Sequence, residues 1–229
     1  MHAEDRSIHF STELIHAPVQ YQVPALQKLY YELGQTRTAA YDSSDFSVPG
    51  RPQFHSKRPP RSQSVAVFLP DRIVLIEEWA DGPLSAFIDK VKEVSARTLG
   101  DLGPTEFVAQ TVTLRSTFGL THFADARAFL LDHVCSQEGR LAPHFRRPIG
   151  VGGMRFMLPE TPEHQGNFQV IIESFQQSVN DVFVEVKGIF AQQHITAESL
   201  FVAIHHIQDV RAFIVEHVFP YLNQFDRAK

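Results

Sequence analysis

The sequence predicts an α+β protein: a mostly antiparallel, curved sheet built from two tandem strand–helix–strands–helix halves, with the helices on one face. Three observations carry this. Val182, Val184 and Val186 alternate with Phe183, Glu185 and Lys187, the period-two pattern of a strand with one buried face. Within residues 196–220, Leu200, Ile204, Ile207, Ile214 and Val218 recur at three- and four-residue spacing, which is one apolar stripe on a long C-terminal helix. The order strand, helix, basic loop, up to three strands, helix is spelled twice, in residues 1–103 and 104–229. Its short connections favour hairpins over parallel crossovers. A helix of that length must lie along something, and the strands are the only large apolar surface available.

Taken in order, residues 7–15 (SIHFSTELI) alternate well enough for a first strand. Residues 23–33 read as a short helix, with Pro24 in its first turn and Gly34 as its stop. Residues 35–64 are rich in Ser, Pro, Arg and Gly and read as a long mobile loop with a short strand at 53–55. Two apolar runs, 64–69 and 72–79, are separated only by Pro70-Asp71 and form a tight hairpin. Residues 73–76 are apolar on both parities, so this strand is central. Asp81 is the expected N-cap of a helix striped by Leu84, Phe87, Ile88, Val91, Val94 and Ser95, which Gly100 and Gly103-Pro104 end.

The second half repeats the order. Residues 106–118 form a long strand, and Thr121 caps a helix through Phe123, Ala126, Phe129, Leu130 and Val134. Residues 137–153 form a loop, strands follow at 154–158, 168–174 and 181–187, and Gly188 breaks the last before the C-terminal helix. Ser11-Thr12 and Ser116-Thr117 occupy matching places in the two halves. Together the halves make one continuous domain.

Bulk properties exclude several classes. The chain has 229 residues, 43% hydrophobic and 21% charged, enough for a substantial core. A net charge of −5 gives no global pull toward nucleic acid or anionic lipid. The single cysteine, Cys135, permits neither an intramolecular disulfide nor a multi-cysteine zinc site. The start MHAEDRSIHF lacks the basic and apolar regions of a signal peptide, and no run approaches the roughly 18 apolar residues of a membrane span. The expectation is a cytoplasmic protein with no membrane, cofactor or metal requirement.

The stretches STELIHAPVQYQVPAL, VTLRSTF with Arg115, and VFVEVKGIF before a long helix resemble a sporadically distributed family of uncharacterised bacterial proteins. The likeness covers most of the chain and implies no established activity. The two-half architecture is also similar to the tandem saddle of TATA-box-binding proteins, or to a helix-grip fold. That likeness concerns fold and not function.

Few residues carry chemistry beyond structure. Arg211 falls within the C-terminal stripe, where a charge needs a partner; it could anchor an anionic ligand, or lie on a slightly rotated edge. Arg115 could line the same cavity or sit on the helix-free face. His205 and Asp209 have i, i+4 spacing and Glu216 lies near, but two ligands do not make a zinc site, and this reads as a solvated face. Cys135 has no glycine elbow, and Gly150-Val151-Gly152-Gly153 precedes a strand instead of opening a helix. Arg51, Lys57, Arg58 and Arg61 in one loop and Arg140, Arg146 and Arg147 in the other are candidate partner contacts. Tyr41, Phe46, Phe54 and Phe145 are interleaved with them.

These features point to a non-enzymatic binding protein. It would use either the open sheet face with its basic loops or a cavity under the C-terminal helix, for an anionic ligand or a protein partner. Nucleic acid remains open against the negative charge. The alternatives are an enzyme acting on a small anionic substrate in that cavity, and a homodimerising module that pairs through the exposed sheet face.

Overall fold

Alternation of apolar and polar residues sets where the chain runs extended. In the computed structural model, which describes residues 5–36 and 39–227, nine strands form one antiparallel sheet in the order β2-β3-β4-β5-β1-β6-β9-β8-β7. The chain runs β1 (Asp5–Ile15), α1 (Val23–Gln35), β2 (Ser43–Asp45), β3 (Gln53–Arg58), β4 (Ser62–Leu69), β5 (Arg72–Glu78) and α2 (Leu84–Asp101). It continues through β6 (Ala109–Gly119), the short α3 (Ala126–Ala128) prolonged by a π-helical turn at Phe129–Val134, and α4 (Leu141–Phe145). Strands β7 (Gly153–Leu158), β8 (Asn167–Ser174) and β9 (Asp181–Phe190) follow. The C-terminal helical segment then runs from α5 (Leu200–Phe213) through a π-helical turn (Ile214–Val218) into α6 (Phe219–Asn223). Among the described residues, no helix is long and apolar enough to cross a membrane.

Each strand's even-numbered or odd-numbered set decides which face it feeds. Phe10 and Leu14 of β1, Val112 and Leu114 of β6, and Val182, Val184 and Val186 of β9 are all buried. They share one core with Phe87, Val91 and Val94 of α2 and with Ile207, Val210 and Ile214 of the C-terminal segment. Helices α2 and α5 touch each other and lie on this face, with α2 on β1 and α5 on β6 and β9. The other face carries no helix contact of this kind. The strand of residues 182–186 therefore meets the C-terminal helix, as its alternation requires.

Gly188 does not break β9; the strand continues to Phe190. Its missing side chain serves packing instead, because a Cβ there would lie 2.6 Å from Cγ2 of Val210 on α5. Of the predicted stripe, Leu200, Ile207, Ile214 and Val218 are buried, and the face is turned slightly from it at Ile204. Ala203, His206, Ile207 and Val210 are buried, while Ile204 and Arg211 lie on the flank. Within the stretch 35–64 the short strand expected at 53–55 is present and longer, as β3 (Gln53–Arg58) paired with β4, and β2 pairs in turn with β3. The cap of α3 is Asp125, whose carboxylate accepts the Arg127 and Ala128 N–H groups, not Thr121. The N–H groups of Thr121 and His122 instead donate to the buried carboxylate of Asp226, at 2.7 and 2.9 Å, which pins the chain's last helical turn beside the end of β6.

Strand direction places the β3–β4 and β8–β9 turns at the same end of the sheet. In a flat sheet five strand spacings, roughly 24 Å, would separate them. Yet the Arg61 guanidinium, resting 5.1 Å from the Trp79 ring, donates to Gln177 Oε1 at 2.9 Å. The flanks of the sheet therefore curl toward each other.

Candidate functional site

The residues singled out by the sequence fall into separate places. Arg115 lies on the helix-free face, where its Nε donates to Glu185 Oε2 at 2.6 Å. It belongs to a row across four strands in which Glu78 faces His9, His9 faces Arg115, and Arg115 faces Glu185. His9 Nδ1 is 2.5 Å from Glu78 Oε2, and burial lowers its imidazole below the usual range against the pull of Glu78. Alongside, Arg72 pairs with Glu13 at 3.0 Å. His9, Arg115, Arg72 and the carboxylates of Glu78, Glu185 and Glu13 are thus engaged with one another across the open face. Arg211, on the helix side, is half-buried on the flank of α5 and is engaged within the fold. The sheet separates the two arginines, so they do not line one cavity.

The basic loops are not symmetry-related patches of equal kind. Arg51 precedes β3 at one end of the sheet; Lys57, Arg58 and Arg61 sit at the other end, by the β3–β4 turn. Arg146 and Arg147 precede β7, whose start lies at the same end as that turn but on the far edge. Arg58 reaches Asp81 at 3.5 Å. Arg140 lies near Glu138, while Arg146 holds the chain in a left-handed turn, φ 53°, at the end of α4.

Under α5 the space is filled by a buried polar chain. His206 Nδ1 is 2.8 Å from Gln110 Oε1, and Gln110 Nε2 donates to Thr12 Oγ1 and to the Ala203 carbonyl. Since the Gln110 oxygen can only accept, His206 carries its proton on Nδ1. Its ring stacks on Phe190 with centroids 3.8 Å apart. Burial, with the charge of His205 second, pushes the imidazole down to about 4.

The open volume lies beside this helix instead. A cleft of about 700 Å³ separates the β7–β8 connection from the outer side of the C-terminal segment. Phe168 and Phe213, packed edge to face at 5.2 Å, form its apolar floor. Asp209 and Glu216 border it from the helical side and Glu163 and His164 from the connection, with His217 beside Phe213. No lysine or arginine lines it, and among the described residues none of the three carboxylates has an ion-pair partner. Partial burial raises the Asp209 carboxyl above its usual range, against the pull of His205. Among the described residues no three His, Cys, Asp or Glu side chains converge as a metal site. The cleft is therefore acidic, aromatic-floored and sized for an organic molecule.

The sequence marked Asp209 and Glu216 as neighbours on one helical face, but nothing in it linked them to Phe168 or Glu163 from another hairpin. A second cluster was missed outright. Lys90 of α2 reaches Glu77 of β5 at 2.5 Å and Ser64 of β4 at 2.6 Å, with its ammonium 5.0 Å from the Tyr41 ring. Cys135, half-buried, ends the π-helical turn after α3. No protein-family model matches the chain, and a search of curated proteins returns no significant relative.

Proposed function

We propose that this protein is a non-enzymatic binding protein built from two tandem copies of one unit, and that it takes an organic cation in the cleft beside the C-terminal helix. The single observation that carries the ligand class is the pairing of an aromatic floor, Phe168 and Phe213, with three carboxylates that lack counter-ions. An ammonium or guanidinium group suits that rim by charge, and the ring or chain attached to it suits the floor. The anionic ligand expected at Arg211 has no support from this lining.

The tandem reading is supported by the sheet order. Outward from the central β1·β6 pair, the strands run β5-β4-β3 on one side and β9-β8-β7 on the other, and α2 and α5 meet over the middle. The tandem saddle of TATA-box-binding proteins is one fold analogy for such an arrangement. An experimental structure in which β1, β3–β5 and α2 fail to superpose on β6, β7–β9 and α5 would remove the duplication.

Calorimetric titration with an arylalkyl amine and its neutral alcohol isostere tests the cleft. The amine should bind and the alcohol bind at least about tenfold more weakly, a difference of some 1.4 kcal/mol. The double variant Asp209→Asn/Glu216→Gln should erase the preference without changing the melting temperature. Equal binding of amine and alcohol, or a preference for an anion, overturns the assignment.

A further inference from the structure

The two edges of the sheet are unlike. On one side the sheet ends in β2, three residues long (Ser43-Ser44-Asp45), a short polar strand that offers little to a neighbour. On the other it ends in β7, six residues of sequence GMRFML, with alternate N–H and C=O groups facing outward. Phe156, Met157 and Leu158 are 41, 58 and 39% exposed there. An unprotected apolar edge of this length is a template for another strand.

The flanking charges say which strand. The chain entering β7 carries Arg146 and Arg147, and the chain leaving it carries Glu160 and Glu163; all four are exposed. Among the described residues none of the four makes an ion pair. A strand carrying the same sequence and running antiparallel would bring its acidic exit beside this basic entry, and its basic entry beside this acidic exit. The match is made twice, as a twofold axis requires. Side-chain parity narrows the register further. Met154, Phe156 and Leu158 point to the helix side with their β8 partners Ile172, Val170 and Phe168, while Arg155 and Met157 point to the open side. With the axis at Phe156, Phe156 opposes its own copy, Met154 opposes Leu158 and Arg155 opposes Met157. Each pair then lies on one face and no like charges are opposed. Moving the axis to Arg155 would oppose two arginines.

We infer that β7 pairs antiparallel with β7 of a second copy, joining two sheets into one continuous sheet through an isologous edge. This differs from pairing through the open face; it is argued from the β7 edge and not from the cleft, although Glu163 belongs to both.

Sedimentation velocity on the full chain tests it. At about 100 μM, well above a micromolar Kd, the wild type should sediment as a dimer. Phe156→Lys, which sets two ammonium groups face to face, should leave monomer. Because that change touches a partly packed residue, exposed charge reversals provide a second arm. Arg146→Glu/Arg147→Glu and Glu160→Arg/Glu163→Arg should each shift the wild-type dimer toward monomer by at least tenfold in Kd, and an equimolar mixture of the two should recover a heterodimer. A monomeric wild type overturns the inference. So does a dimer that survives both reversals, since it would use another surface.

Discussion

The contact between β9 and α5 makes the sharpest stability test, through Gly188→Ala. Gly188 sits on the helix side of β9, opposite Val112 and Phe168. An added Cβ would lie 2.6 Å from Val210 Cγ2 and 2.9 Å from the Phe190 ring, against an ordinary carbon contact of about 3.5–4.0 Å. Neither neighbour can easily retreat. Val210 is fully buried and stiff at χ1, and Phe190 is held by its stack on His206. Alanine also lowers the entropy of the unfolded chain, worth about 0.5–1 kcal/mol in its favour. Overpacking a closed core costs about 1–3 kcal/mol, and with both contacts this short the net loss centres on about 1 kcal/mol, or roughly 2–4 °C in Tm. Thermal unfolding followed by circular dichroism reads this directly. Val210→Ala in the same chain should recover part of the loss, leaving the double variant about 0.5–3 kcal/mol more stable than the sum of the two singles. A Gly188→Ala protein as stable as the wild type, or strictly additive costs, would mean that α5 does not press on β9 at this point.

Two further changes probe buried polar groups. Lys90 and Glu77 pair with side chains only 14 and 15% exposed, so Glu77→Ala should cost about 3–5 kcal/mol by stranding the ammonium. Glu77→Leu/Lys90→Met should cost far less, and equal denaturant midpoints for the two variants would refute the stranded charge. His206 has a folded-state pKa of about 4 against 6.5 for the free side chain. Above pH 6.5 both states are neutral and stability is full. Between pH 6.5 and 4 the unfolded chain takes a proton that the folded one refuses, and up to about 3 kcal/mol is lost. His206→Gln should lose less over that range than the wild type, and an NMR midpoint for His206 near 6.5 would refute the shift.

Local patterns and long-range contacts were not equally legible. Valine alternation at residues 182–186 and the stripe of Phe87, Val91 and Val94 found their core faces because each depends on periodicity within one element. β2 hid in a Ser-, Pro- and Arg-rich stretch, and β3 showed only its first residues, because a short edge strand needs little apolar content and draws its hydrogen bonds from the neighbouring strand. Thr121 looked like a cap by residue type, but the actual cap, Asp125, depends on where the chain turns. The ion pair of Lys90 and Glu77 gave no local sign at all. Each residue reads as an ordinary solvent-facing charge until the fold brings Lys90 of α2 against Ser64 of β4 and Glu77 of β5.

The flank position of Arg211 has a physical cause that also accounts for the position of the cleft. The spacing of Leu200, Ile204, Ile207, Ile214 and Val218 marks the stripe by its aliphatic residues, and aliphatic bulk marks the buried side of a helix only under one condition. The helix must stand off the sheet on long side chains. Here α5 comes close enough that β9 offers a glycine beneath Val210 and the helix answers with Ala203, so small residues occupy the centre of the contact. The buried face therefore turns toward Ala203, His206 and Val210, and Arg211 moves to the flank. The same turn carries Asp209, Ala212 and Glu216 outward over the β7–β8 connection, where they meet Phe168 and Glu163. One glycine in a strand thus fixes both which arginine is excluded from the core and which carboxylates rim the open volume.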